Sequence, residues 1–209
     1  MMRKGIAITI LSGLIFLIAC HDPAADTSRA TTGEAAHVAS PAVAQGQKYL
    51  ITPQNSKIEF IGSKVTGKQN GSFGEFSGQI DYAGSPENSR VNITIKTDSI
   101  TTDAADLTKH LKTADFFDVA KFPEATFVST AIKAGGEKGA THTVTGNLTL
   151  HGVTKSITFP ATINVTPDVA TVESSFSINR KDFGINYAGA ADNLIRDDVV
   201  LTLHVRATK

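Results

Sequence analysis

One cysteine, two methionines and no tryptophan occur in 209 residues, and basic and acidic side chains balance at 20 each. Each scarcity excludes something. The single thiol, Cys20, can form no disulfide within the chain, so any folded domain is held by its apolar core. A net charge of zero with no basic run leaves no face for nucleic acid, whose binding needs clustered Lys and Arg. No uncharged apolar run reaches the roughly 20 residues that a helix needs to span a bilayer. Motifs that carry catalysis are also scarce. His21 and His37 lie near the N-terminus, and His110, His142, His151 and His204 are scattered, with no cysteine partner and no metal-ligand spacing. Asp103, Asp106 and His110 fall on one face at helical spacing, which suits a solvated face better than a metal site. There is no Gly-x-Ser-x-Gly elbow. Gly67, Gly71 and Gly74 sit between strand-like runs, so they are turn chemistry rather than a phosphate loop. The expectation is a protein that is not an enzyme and needs no metal or cofactor.

What is present begins with Met1-Met2-Arg3-Lys4, followed by an uncharged apolar run from Gly5 to Ala19, the order of a secretory signal. The run closes on Leu17-Ile18-Ala19-Cys20, which resembles the lipobox of bacterial lipoproteins. That resemblance implies cleavage of residues 1–19, then acylation of the Cys20 thiol and of the new amine. Several acyl chains hold a protein durably at a membrane, whereas one holds it only marginally. His21 after Cys20, in place of the Asp that often retains lipoproteins in the inner membrane, tilts the address towards an outer membrane with the domain facing the periplasm. An uncleaved signal anchor with an incidental cysteine is the alternative.

From His21 to Gln47 there is no aromatic residue, and Val38 and Val43 are the only larger aliphatics. Such a stretch buries too little apolar surface to offset its ordering entropy, so residues 20–47 read as the lipidated cysteine and a disordered tether. From Lys48 onwards the character changes, because ten of the eleven Phe and all three Tyr lie between residues 48 and 209, a length that suits one domain. Ile58-Glu59-Phe60, Val91 to Ile95, Leu148-Thr149-Leu150, Ile157-Thr158-Phe159 and Val199 to Val205 alternate apolar with polar side chains at period two, as half-buried strands do. Gly84-Ser85-Pro86, Gly135-Gly136 and Thr166-Pro167-Asp168 punctuate them. The fold class is all-β: about eight antiparallel strands in a meander that closes as a barrel or stacks as a sandwich. One segment differs. Thr102 to Phe117 carries Leu107, Leu111 and Phe116 at helical spacing and predicts a short helix capped by Thr102 or Asp103.

Three segments invite a functional reading. Phe116 and Phe117, with Phe122 close by, form either an apolar lid or ordinary core under a loop. His151, beside Gly152 in a tight turn, is a ligand or base, or simply a turn residue. Arg180 and Asp182 either clasp an anionic headgroup or form a local ion pair that pins a turn. The runs TADFFDVAKFPEATF, GNLTLHGVTKSITFPA and FSINRKDFGINY, in this order, resemble the YceI-like family of exported lipid-binding domains over residues 48–209. Two positions depart from that family's pattern: Gln69 stands where many members have His, and no Arg precedes His110-Leu111. The resemblance implies an eight-stranded, antiparallel, lipocalin-like barrel with a short helix near one opening. Its lumen would hold a polyisoprenoid or isoprenoid quinone type of lipid for sequestration or transport. Phe60, Phe73, Phe76, Ile93, Ile95, Phe116, Phe117, Phe127, Leu148, Phe176 and Ile178 are the expected wall, with Arg180 at the ligand's head. An eight-stranded barrel is wide enough to fill with its own side chains or to hold one slender ligand. The rival is therefore a solid, non-catalytic barrel that binds a protein or cell-wall partner on its outside. The oligomeric state, a homodimer included, stays open.

Overall fold

A computed structural model describes residues 22–37, 46–191 and 193–209. The expected signal segment and Cys20 therefore lie outside the described residues. Among the described residues, fifteen strands and one α-helix occur in chain order: β1 (Ser28–Arg29), β2 (Thr31–Glu34), β3 (Gln47–Ile51), β4 (Lys57–Lys64), β5 (Gly67–Phe73), β6 (Phe76–Tyr82), β7 (Arg90–Lys96), β8 (Ile100–Thr102), α1 (Ala105–Leu111), β9 (Glu124–Ala134), β10 (His142–Leu150), β11 (Val153–Val165), β12 (Val169–Asn179), β13 (Gly189–Ala190), β14 (Asn193–Leu194) and β15 (Asp198–Thr208). They make eight staves, because β3 with β4, and β5 with β6, continue one another. β3 pairs β6 and β4 pairs β5, so each couple is one bent strand interrupted by a short irregularity. The staves then follow as an antiparallel meander through β7, β9, β10, β11, β12 and β15. β15 returns to β4 and β3, which closes the barrel.

Alternation dictates this wall. In β11, Ile157, Phe159 and Ala161 are buried while the residues between them are not, and in β10 Val144 and Leu148 behave likewise. Three clusters of buried side chains fill the inside. One gathers Ile132, Val144, Leu148, Ile157, Phe159, Phe176 and Ile178 along the flank. Another gathers Tyr49, Ile51, Ile80, Ala170, Val205 and Ala207 at the end remote from α1. The third joins Phe60, Ile100, Leu111, Phe116 and Ile185 beneath α1.

The turn between β10 and β11 fixes their register. His151 and Gly152 both have positive φ, 51° and 74°, between the paired residues Leu150 and Val153. That is the backbone of a type I′ hairpin, whose twist matches its strands. A Cβ on Gly152 would also stand 2.5 Å from the Phe122 ring. Gly152→Ala is expected to lower stability by about 1–2 kcal/mol, from left-handed strain with some displacement of that ring. A urea unfolding curve would measure the loss, and an unchanged midpoint would refute the assignment.

Two expectations need correcting. The helix is shorter than Thr102–Phe117, and neither Thr102 nor Asp103 is its N-cap; that position is Ala104, without a side-chain cap. The Thr102 hydroxyl instead donates to the Ala104 carbonyl at 2.8 Å, and Asp103 accepts from the Asn70 side chain at 3.2 Å. After Lys112 the chain turns back on itself, with the Phe117 N–H bonded to the Leu111 carbonyl, and this tucks Phe116 inward. The second correction concerns the tether. Within residues 20–47, the described stretch 22–37 is not free coil: β1 pairs β12 in parallel and β2 pairs β11 antiparallel. The segment has almost no apolar surface, yet its backbone finds strand edges that would otherwise lack partners.

Candidate functional site

The staves enclose a cavity of about 240 Å³. About 10–15 Å³ of such volume admits one water, so the lumen is open space and not a filled core. This removes the main structural support for the solid-barrel alternative.

Eleven of the twelve expected site residues face this space. Phe60 comes from β4, Phe73 from β5, Ile93 and Ile95 from β7, Phe127 from β9, Leu148 from β10, and Phe176 and Ile178 from β12. Phe116 and Phe117 reach in from the turns after α1, and Arg180 from the start of the short 3₁₀ turn that follows β12. Phe76 does not line it. The irregularity at Gly74-Glu75 resets the alternation so that Phe76 faces inward with Ile80, yet it packs among Tyr49, Ile51 and Ile80 and does not reach the cavity. Missed were Ile157 and Phe159 of β11, Leu201, Leu203 and Val205 of β15, and Leu107 and Leu111 of α1. All of them sit in phase with strand or helix patterns visible in the sequence, so periodicity alone would have found them.

Aromatic contacts give the cavity two hard flanks. Phe159 stacks on Phe176 with centroids 4.2 Å apart and planes within 10°, and Phe127 leans on Phe159 at 5.8 Å. Near α1, Phe73 bridges Phe60 and Phe117 at 5.8 Å each. Outside this cap, His110 sets its ring edge-on to Phe116 at 5.0 Å and to Tyr187 at 5.1 Å, while its Nε2 lies 2.7 Å from the Asp115 carboxylate. Phe116 and Phe117 are thus both cap and wall.

Polar residue types border the cavity only at the α1 end, and their polar atoms scarcely face it. The lining there includes Ser63, Lys64, Gln69 and Arg180, and every other lining residue is apolar or glycine. Lys64 and Gln69 share the inward phase of β4 and β5 with Phe60 and Phe73, since Gly62 opposes Gln69 and Phe60 opposes Gly71. Lys64 has no ion-pair partner among the described residues. Arg180 is different. Only 5% of it is exposed, and it donates to the carbonyls of Ile185 at 2.7 Å, Arg196 at 3.1 Å and Ile195 at 3.4 Å. Its carboxylate neighbour is Asp197 at 3.4 Å, so the local ion pair with Asp182, one of the two readings, does not form. Burial lowers its pKa from the ordinary value and Asp197 works in the opposite direction; a guanidinium so placed still carries its charge. Its donors are spent on tying Ile185 to the stretch 195–197 at the α1 end.

His151 stands in the β10–β11 turn with its ring 4.5 Å from that of Phe122. Asp103 and His110 have the separate partners named above, and among the described residues no group of three or more His, Cys, Asp or Glu side chains is placed to hold a metal. What the arrangement can do chemically is enclose a long apolar body by hydrophobic burial.

Comparison with known proteins agrees with this architecture. A model of the YceI-like domain matches residues 49–207. A UPF0312 protein of Pseudomonas putida (strain W619) is 42% identical over 136 residues, which cover 62% of this chain and 70% of that protein. Among solved structures, Burkholderia cenocepacia BcnA superposes with a TM-score of 0.67 at 25% identity, covering 76% of this chain and 99% of BcnA. The Campylobacter jejuni YceI protein gives 0.58 at 27% identity, over 66% of this chain and 84% of that one. A polyisoprenoid binding domain from Saccharophagus degradans shares the fold, with a TM-score of 0.61 at 19% identity over 77% of this chain and 97% of that one. With its eight-stranded barrel, its capped apolar lumen and a family match that spans nearly the whole folded region, the chain belongs to the YceI-like domain family.

Proposed function

We propose that the barrel binds a long apolar lipid of the polyisoprenoid or isoprenoid quinone type, for sequestration or transport in the cell envelope. The observation that carries this reading is the open cavity, whose exposed lining is almost wholly apolar. A long apolar chain matches that lining, lying along Phe127, Phe159 and Phe176. At about 25 cal/mol per Å² of apolar area, enclosing ~500 Å² of such a tail contributes on the order of 12 kcal/mol before association and ordering costs. No catalytic group is needed for that. The fold shared with a domain described as polyisoprenoid binding supports the same class of ligand.

The envelope is the other half of the proposal. Residues 1–19 have the makeup of a cleaved lipoprotein signal and Cys20 that of an acylated anchor, held at an outer membrane and facing the periplasm. Native mass spectrometry of the full-length protein, extracted from its membranes with mild detergent, tests both halves. The expected result is a triacylated N-terminal Cys20 and a co-purifying neutral or anionic lipid of several hundred daltons. An unmodified N-terminus would refute the anchor. A barrel that is always empty and takes up neither an isoprenoid quinone nor a polyprenyl phosphate would refute the cargo.

A further inference from the structure

The barrel wall forks between β11 and β12. Their ladder runs only from Thr162 opposite Glu173 to Val165 opposite Ala170. It ends near Pro160, which has no N–H to give and whose carbonyl accepts the Ser174 hydroxyl at 2.6 Å. Beyond the fork, towards α1, the two facing edges do not pair with each other. β2 takes the β11 edge, with Thr31 to Glu34 opposite Thr158 to Lys155. β1 takes the β12 edge, with Ser28 and Arg29 opposite Phe176 and Ser177, and the Ala30 N–H donates to the Ser177 carbonyl at 2.8 Å. A single segment therefore stops a gap in the wall. Ile157, Phe159, Phe176 and Ile178 on the flanking strands all line the cavity, and Ala30 packs into their cluster.

This insert is weakly held for a structural element. Its sequence, Ser28-Arg29-Ala30-Thr31-Thr32-Gly33-Glu34, brings one apolar side chain to the core, that of Ala30. The Ser28 hydroxyl is buried without a hydrogen-bond partner, a state that favours leaving for water. The ion pairs Arg29–Asp198 and Lys155–Glu34, each 3.0 Å, have one well-exposed partner apiece, Arg29 and Glu34, so water and salt weaken both, although the Asp198 oxygen facing Arg29 is buried. By contrast, β12 and β15 pair along their whole length, from Val169 opposite Thr208 to Asn179 opposite Asp198.

We propose that residues 28–34 are a displaceable stave, which leaves to open a slot between β11 and β12 through which a long apolar molecule enters the cavity sideways. Its cargo rests on the lipid-binding reading; its motion does not. End-on entry would thread a chain past Phe116 and Phe117 beneath α1, whereas a lateral slot admits the chain along its length. The described residues begin at Asp22, two positions after Cys20 in the sequence, so acylation there would hold this stave close to the bilayer surface.

The test is a disulfide lock, Gly33→Cys with Ser156→Cys, in the full chain carrying Cys20→Ala so that the pair is the only one available. Gly33 and Ser156 are cross-strand partners, and a Cβ at Gly33 meets nothing within 4 Å. With cis-parinaric acid delivered from phosphatidylcholine vesicles, oxidation is expected to slow uptake about tenfold or more and to leave the equilibrium affinity unchanged. Dithiothreitol should restore the rate. Equal rates in the locked and reduced forms would overturn the portal. The motion is read without any ligand by amide hydrogen exchange. Residues 28–34 and Lys155 to Thr158 should exchange faster than the β12–β15 ladder and slow when locked; exchange as slow as that ladder in the reduced protein would overturn the moving stave. Opening by exchange with no uptake in any form would retain the stave and refute the lipid reading alone.

Discussion

Filling the lumen with Leu148→Trp and Leu203→Trp together should abolish tight binding of an apolar chain while leaving the barrel folded. Both leucines line the cavity from β10 and β15, so two indoles would project into space that already exists. In a packed core such enlargement costs about 1–3 kcal/mol from strain, but an open cavity of about 240 Å³ relieves most of it. If the indoles displace ~150 Å² of ligand contact, about 4 kcal/mol of binding is lost at 25 cal/mol per Å², roughly a thousandfold in affinity. Titration with cis-parinaric acid would measure the loss, and urea unfolding would show whether stability stays within about 1–2 kcal/mol of the parent. Unaltered binding would place the ligand outside the lumen, on the wall or at the cap. A parallel fall in stability and affinity would instead mean that the cavity collapses in solution.

The success of such a design depends on how the lumen is encoded, and most of that code is local. Ile157-Thr158-Phe159 and the alternation from Val199 to Val205 announce strands because burial on one side of a pleat leaves a period of two in the sequence. The Gly152 turn fixes where the fifth stave meets the sixth. Three features escape because they are settled at a distance. Phe76 follows the alternation of its own strand and faces inward with Ile80, but how far the cavity reaches along that stave is set by packing from other strands, which no local pattern marks. Arg180 lies two residues from Asp182, yet it pairs with Asp197, brought back by a loop whose residues carry no periodic signal. The stave of residues 28–34 is the clearest case. It is a strand because β11 and β12 diverge and offer free backbone groups, and nothing in its own composition says so.

Arg180→Met is expected to be the most destabilising single change at the mouth, at about 3 kcal/mol. The guanidinium serves the carbonyls of Ile185, Ile195 and Arg196 together, and an acceptor left buried without its donor costs about 1–3 kcal/mol. Partial rehydration of this loop keeps the total below the sum. The ion pair is the smaller part. Asp197 is 42% exposed, lies 3.4 Å from Arg180, and keeps Lys181 at 3.0 Å when Arg180 is gone. Asp197→Asn should therefore cost less than about 1 kcal/mol. Arg180→Lys should not rescue the loss, because one ammonium cannot fork to three carbonyls set around a plane. A drop of about 2–4 °C in Tm for each kcal/mol makes the series measurable by calorimetry. If Asp197→Asn matches Arg180→Met, the loop is held by charge. If only the arginine variants fall, it is held by carbonyls gathered on a buried fork, and loosening them should leave ligand exchange between β11 and β12 unchanged.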